Sequence, residues 1–229
     1  MRNRTSVVSI MLLVCVVALA RAPKPLERFD GSAVWKPKDE QQAFADMRQC
    51  GAMHAGGSEG SFATCVGEAM RKHGASKPAI AFNAATGGNA YATRLRKMGS
   101  PVDVMEAMNP FMANSNDQVF FVNGDPVAVS ADEQAMKLDG KKNPQFQALQ
   151  KTYPEAFIFP HAEMQSLQVI MTRTGQAFTL QFPIVNGCHA CARVGQAIVE
   201  YDFDSSGHFT GATLTAIMKG AQDAGRKQD

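Results

Sequence analysis

The stretch from residue 166 to 217, SLQVIMTRTGQAFTLQFPIVNGCHACARVGQAIVEYDFDSSGHFTGATLTAI, decides the fold class. It divides into strand-like runs at 166–173, 176–185, 196–203 and 208–217, rich in β-branched and aromatic residues and broken by turn chemistry. A Gly175 turn, the cysteine loop NGCHACARVG (186–195) and the turn DSSG (204–207) join them. Short connections between consecutive strands predict a four-stranded antiparallel meander.

Upstream the period changes. Asp39 offers an N-cap, and Ala43, Phe44, Met47, Cys50 and His54 fall on one helical face that Gly56-Gly57 ends. Ser61 is placed to cap a second helix with Phe62, Cys65, Val66, Ala69 and Met70 on one face, closed by Lys72, His73 and Gly74. Further short helices are expected from Lys77 or Pro78, over NAYATRLRKM (89–98), and from Ser100-Pro101, with Asp103 completing a capping box. QVFFVNGDPVAV (118–129) reads as a hairpin around Asn123-Gly124. Ser130 with Glu133 caps a short helix, and Asn143-Pro144 opens another that stops before Pro154. Helices lead and strands close the chain, so the class is α+β: an N-terminal helical part with a disulfide-linked helical hairpin, packed on a C-terminal meander.

The expected organisation is a signal peptide over 1–20 and an extended lead-in over 21–37, where Trp35 can dock on the core. One domain follows over 38–217, mainly helical at 38–112, mixed at 113–165 and a meander at 166–217, with a flexible tail over 218–229. The expected leader rests on Arg2 and Arg4, an apolar run too short for an anchor, and the small-x-small end Ala18-Leu19-Ala20. It implies a periplasmic or secreted protein with no membrane span. With 23 basic and 21 acidic side chains in the whole chain, loss of Arg2 and Arg4 balances the charge. Without a basic block, nucleic-acid binding has no support.

Of the five cysteines, Cys15 lies in the leader, and the remaining four allow three pairings. Cys50 lies eight residues before Ser58, at the middle of the helix connection, and Cys65 seven after it. Those positions are level in an antiparallel pair. Cys50 is therefore expected to join Cys65, and Cys188 to join Cys191.

The C-H-A-C motif invites three chemistries. A thiol redox site places its first cysteine at a helix N-terminus, but here the chain enters the strand QAIVEYDF. Haem attachment needs histidine directly after the second cysteine, and residue 192 is alanine. Zinc needs four ligands, and one CxxC with His189 supplies three. Met105, Met108 and Met112 are spaced for one helical face and raise copper binding, against the ordinary use of methionine as core filler. Asp202 and Asp204 share a strand face as acid–base pairs do, yet aspartates before a tight turn serve turn chemistry equally. Neither a cofactor nor an enzymatic reaction is expected.

Residues 153–213, from YPEAF (153–157) through LQVIMTRTGQAFTLQFPIVNGCHACARVGQAIVEYDFDSSGHFTG (167–211), resemble the inhibitor of vertebrate lysozyme (Ivy) family. There a hairpin leads into a disulfide-closed loop with a histidine, then a second hairpin. The resemblance implies that His189 probes a glycosidase cleft and that Cys188 with Cys191 clamps the loop. Cys188 and Cys191 enclose a shorter loop than that family's. The expected function is protein binding or inhibition through 186–195, with His189, Asn186, Gly187, Ala190 and Arg193 as binding residues. The partner is an unidentified protein, a lysozyme-type glycosidase or an envelope component. The alternatives are a thiol–disulfide or copper-handling protein and an accessory subunit of an envelope assembly.

Overall fold

A computed structural model describes residues 28–53, 59–112, 116–188 and 190–220. The expected leader, the first part of the lead-in, His54 to Ser58, His189 and most of the expected tail lie outside the described residues.

Three helices open the fold: α1 (Glu40–Met53), α2 (Glu59–Lys72) and α3 (Lys77–Ala85). Asp39 caps α1, its carboxylate accepting the Gln42 N–H at 3.0 Å. α2 begins two residues ahead of the expected cap, so Ser61 lies in its first turn. Gly74, at φ +83°, ends it in the left-handed region open to glycine. Ser76 caps α3 by accepting the Ala79 N–H. The Cys50–Cys65 disulfide links α1 to α2, with Cα atoms 5.8 Å apart, as the level pairing required. At the other end of the pair, the Asp46 carboxylate accepts from Lys72 at 2.6 Å, His73 at 2.9 Å and Gln42 at 2.9 Å. These bonds, the lysine's foremost, hold it well below the usual carboxylate range.

A four-stranded antiparallel sheet follows, in the order β1 (Tyr91–Arg96), β2 (Asp103–Met108), β3 (Asp117–Val122), β4 (Ala128–Ser130). Here the expectation of helices over 89–98 and from Ser100-Pro101 is corrected: within 38–112 the helices end at Ala85 and two strands follow. β2 and β3 are buried on both faces, so no polar face reveals a two-residue period. Val104, Val119 and Phe121 point to one core cluster, while Met105, Ala107, Phe120 and Val122 point to another. Asp103 looks like a capping-box acid, but its carboxylate accepts from the Met98 N–H at 2.9 Å and the Asn123 amide at 2.8 Å. It ties two turns together instead of starting a helix. The helical face of methionines disappears with the helix: Met105 is core, Met108 receives the Tyr91 hydroxyl, and Met112 is exposed.

The hairpin at 118–129 is β3–β4, with Asn123 at φ +71°. Ser130 caps α4 (Ala131–Met136) and Asn143 caps α5 (Pro144–Thr152). The last elements are β5 (Ala156–Ile158), β6 (Glu163–Thr172), β7 (Gly175–Asn186), β8 (Arg193–Asp204) and β9 (Phe209–Lys219). β6 to β9 form the antiparallel meander, and β5 shares with β6 the edge of β7 away from β8. β9 reaches Lys219, and the Gly220 N–H donates to Val194, so the start of the expected tail belongs to the sheet.

The result is α+β in layers. α1–α3 with Trp35, Phe29 and Ala33 cover one face of the first sheet. Its other face meets the meander around Phe121, whose ring lies 4.7 Å from Phe178 and 4.8 Å from Tyr201. α4 and α5 fill the rest of the meander's inner face through Ala135, Phe146 and Leu149. No helix among the described residues is long and apolar enough to cross a membrane.

Candidate functional site

The cysteine loop is a tightly footed projection from the β7–β8 hairpin. Gly187 sits at φ +92°, and a Cβ there would stand 2.7 Å from Glu155 Oε2, so both backbone angle and space favour glycine. Its N–H donates to the Glu155 carbonyl at 3.2 Å, and the Glu155 N–H donates to Asn186 Oδ1 at 3.2 Å. The Cys191 N–H closes a turn onto the Cys188 carbonyl at 3.1 Å, beneath the Cys188–Cys191 disulfide. Gly187, Cys188, Ala190, Cys191 and Ala192 are exposed; His189 lies outside the described residues.

Arg193 is committed at the far foot. Its guanidinium lies 2.6 Å from Glu163 Oε1, and Glu163 Oε2 accepts from Gln196 at 3.2 Å. Of the five candidate binding residues, Asn186, Gly187 and Arg193 therefore fix the stem, and Ala190 is presented at the tip.

Beside this loop runs an apolar groove of about 630 Å³ between α4, α5 and β5. Its walls include Met136, Leu138, Phe146, Phe157 and Ile158. Ala156 lines the groove and pairs with Asn186, so loop and groove share β5.

A second, polar pocket of about 280 Å³ lies at the seam of the two sheets, lined by Glu106, Asp117, Gln118, His161 and Glu163. Gln118 Oε1 and His161 Nδ1 are buried there with no hydrogen-bond partner among the described residues, whereas most buried polar atoms have one. The segment bearing His161 is clasped by Asp132, whose carboxylate accepts the Ala162 N–H at 2.9 Å. Burial pushes the Asp132 pKa up to about 7, against the lowering effect of that bond. Sequence reading singled out neither His161 nor Asp132. The only local signal was the proline-flanked aromatic run PEAFIFPHA (154–162).

Of the two aspartates on the β8 face, Asp204 is engaged in the turn that follows. The Asp204 carboxylate accepts from the Ser206 hydroxyl and from the Ser206 and His208 N–H groups, which hold it below the ordinary range and define the turn. Among the described residues, no group of three or more His, Cys, Asp or Glu side chains is placed to hold a metal ion.

No protein family, curated protein or solved structure matches the chain. The site therefore rests on its own geometry.

Proposed function

We propose that this chain is an exported binding or inhibitor protein that engages a partner protein through the stapled loop 186–195. The observation that carries the reading is the double restraint on that loop. A disulfide closes its tip, and Glu155 and the Arg193–Glu163 pair fix its two feet. A loop held in one shape before contact loses little freedom on binding, which favours tight association. The exposed tip residues are those a partner would meet first.

Export is supported by the leader-like first twenty residues and by two disulfides, which persist in oxidising compartments. The resemblance of residues 153–213 to the inhibitor of vertebrate lysozyme family makes a lysozyme-type glycosidase the first partner to assay. A histidine on such a loop has the chemistry to meet the paired carboxylates of a glycosidase cleft.

The experiment is affinity measurement of wild type and H189A against a panel of lysozyme-type glycosidases, together with envelope proteins crosslinked to residue 190. Tenfold or greater weakening by H189A supports the reading; equal affinity removes the loop from it.

A further inference from the structure

The groove between α4, α5 and β5 has no part in the loop reading and carries its own ligand chemistry. Its volume of about 630 Å³ falls within the range of small-molecule sites, roughly 300–1,000 Å³. Its lining is dominated by apolar side chains, among them Leu138, Phe146, Ile158 and Pro160. Two of the six large apolar side chains exposed among the described residues line it, Met136 of α4 at 60 % and Phe157 of β5 at 38 %. Exposed apolar side chains that line a concave feature mark a binding surface more than isolated ones do.

The polar groups distinguish what fits. The Gln150 amide on the lining already donates to the Ala156 carbonyl at 3.1 Å, and the Ala156 N–H donates to Tyr153. These bonds are made within the fold and leave the groove fewer groups to pair with a peptide backbone, which suits a hydrocarbon tail better. The lining also holds Lys141, exposed and without an ion pair among the described residues. The lining carboxylate, Asp139, has its own cation in Lys142 at 3.8 Å. Lys141 also precedes the N-terminus of α5, where the helix dipole adds positive potential. A cation without an ion pair among the described residues, beside a largely apolar lining, matches an amphiphile with an anionic head.

We propose that this groove binds a single-chain anionic amphiphile, its tail between Met136 and Phe157 and its head against Lys141. Each additional buried methylene strengthens such binding by up to about fourfold, so affinity should climb with chain length until the groove is filled.

The test is calorimetric titration of the full protein with octanoate, decanoate and dodecanoate below their micellar concentrations, and with decyltrimethylammonium as the cationic counterpart. The expected result is saturable one-to-one binding of decanoate, tighter than octanoate, and at least tenfold tighter than the cationic ligand. M136E should weaken decanoate at least tenfold, and K141E should weaken it severalfold and abolish the preference for the anionic head. Both side chains are exposed, and an unchanged melting temperature verifies that the variants fold. On wild type, decanoate should protect amides of 135–146 and 156–160 from hydrogen exchange. No saturable binding of decanoate, equal affinity for the cationic ligand, or protection confined to other segments overturns the proposal. H189A should leave decanoate binding unchanged, which separates this site from the loop.

Discussion

The Arg193 guanidinium reaches back 2.6 Å to the Glu163 carboxylate, joining the end of the stapled loop to the first residue of β6. The pair thus connects the projection at 186–195 with the wall of the polar pocket at the sheet seam.

Removing that tie should affect the loop more than the fold. The Arg193 side chain is 42 % exposed and that of Glu163 16 %, so the pair belongs near the surface class worth about 0–1 kcal/mol. E163Q should lower global stability by no more than about 1 kcal/mol while accelerating amide exchange at 187–193. Exchange rates that match wild type across the loop would show that Arg193 does not restrain it.

The two disulfides should differ in weight. Cys50–Cys65 closes a sequence separation of 15, worth about 3 kcal/mol of unfolded-state entropy, and Cys188–Cys191 spans 3, worth about 2 kcal/mol by the same relation. Urea unfolding of C50A/C65A should show the larger loss. C188A/C191A should fold with a loss smaller by about 1 kcal/mol, and equal or reversed losses would contradict the structural role assigned to the helical pair.

Asp132 makes stability depend on pH. Its folded pKa is raised from 3.8 to about 7, so folding favours the protonated form. That contribution is complete below about pH 4 and is lost as pH rises through 7. D132N removes the loss while its side-chain oxygen still accepts the Ala162 N–H. The variant should therefore gain on wild type between pH 5 and 8, by about 2 to 4 kcal/mol at the upper end. Denaturation midpoints followed across that range check it, and a difference independent of pH would refute the assignment.

Legibility in the sequence follows how many faces each element buries. The meander has one buried face along Phe178, Leu180, Phe182 and Ile184 and a mixed outer face at Thr179 and Gln181, so its alternation is visible. The α1–α2 pairing was readable because Cys50 and Cys65 are level about their turn. β1 and β2 were not, because burial on both sides of β2 erases its period and Asp103 imitates a cap. At the site, the stapled turn was legible from Cys188, Cys191 and the flanking strands. The partnership of Arg193 with Glu163, 30 residues away, and the clasp of Asp132 on Ala162 depend on tertiary approach that no local pattern encodes.

The stapled loop is the proposed contact surface. Its most direct measurement is the dissociation constant of the crosslinked or assayed partner for wild type, H189A and C188A/C191A, taken under identical conditions. At least tenfold weaker binding by H189A, with C188A/C191A weakened mainly through faster dissociation, is the predicted result. Wild-type affinity in H189A would contradict it.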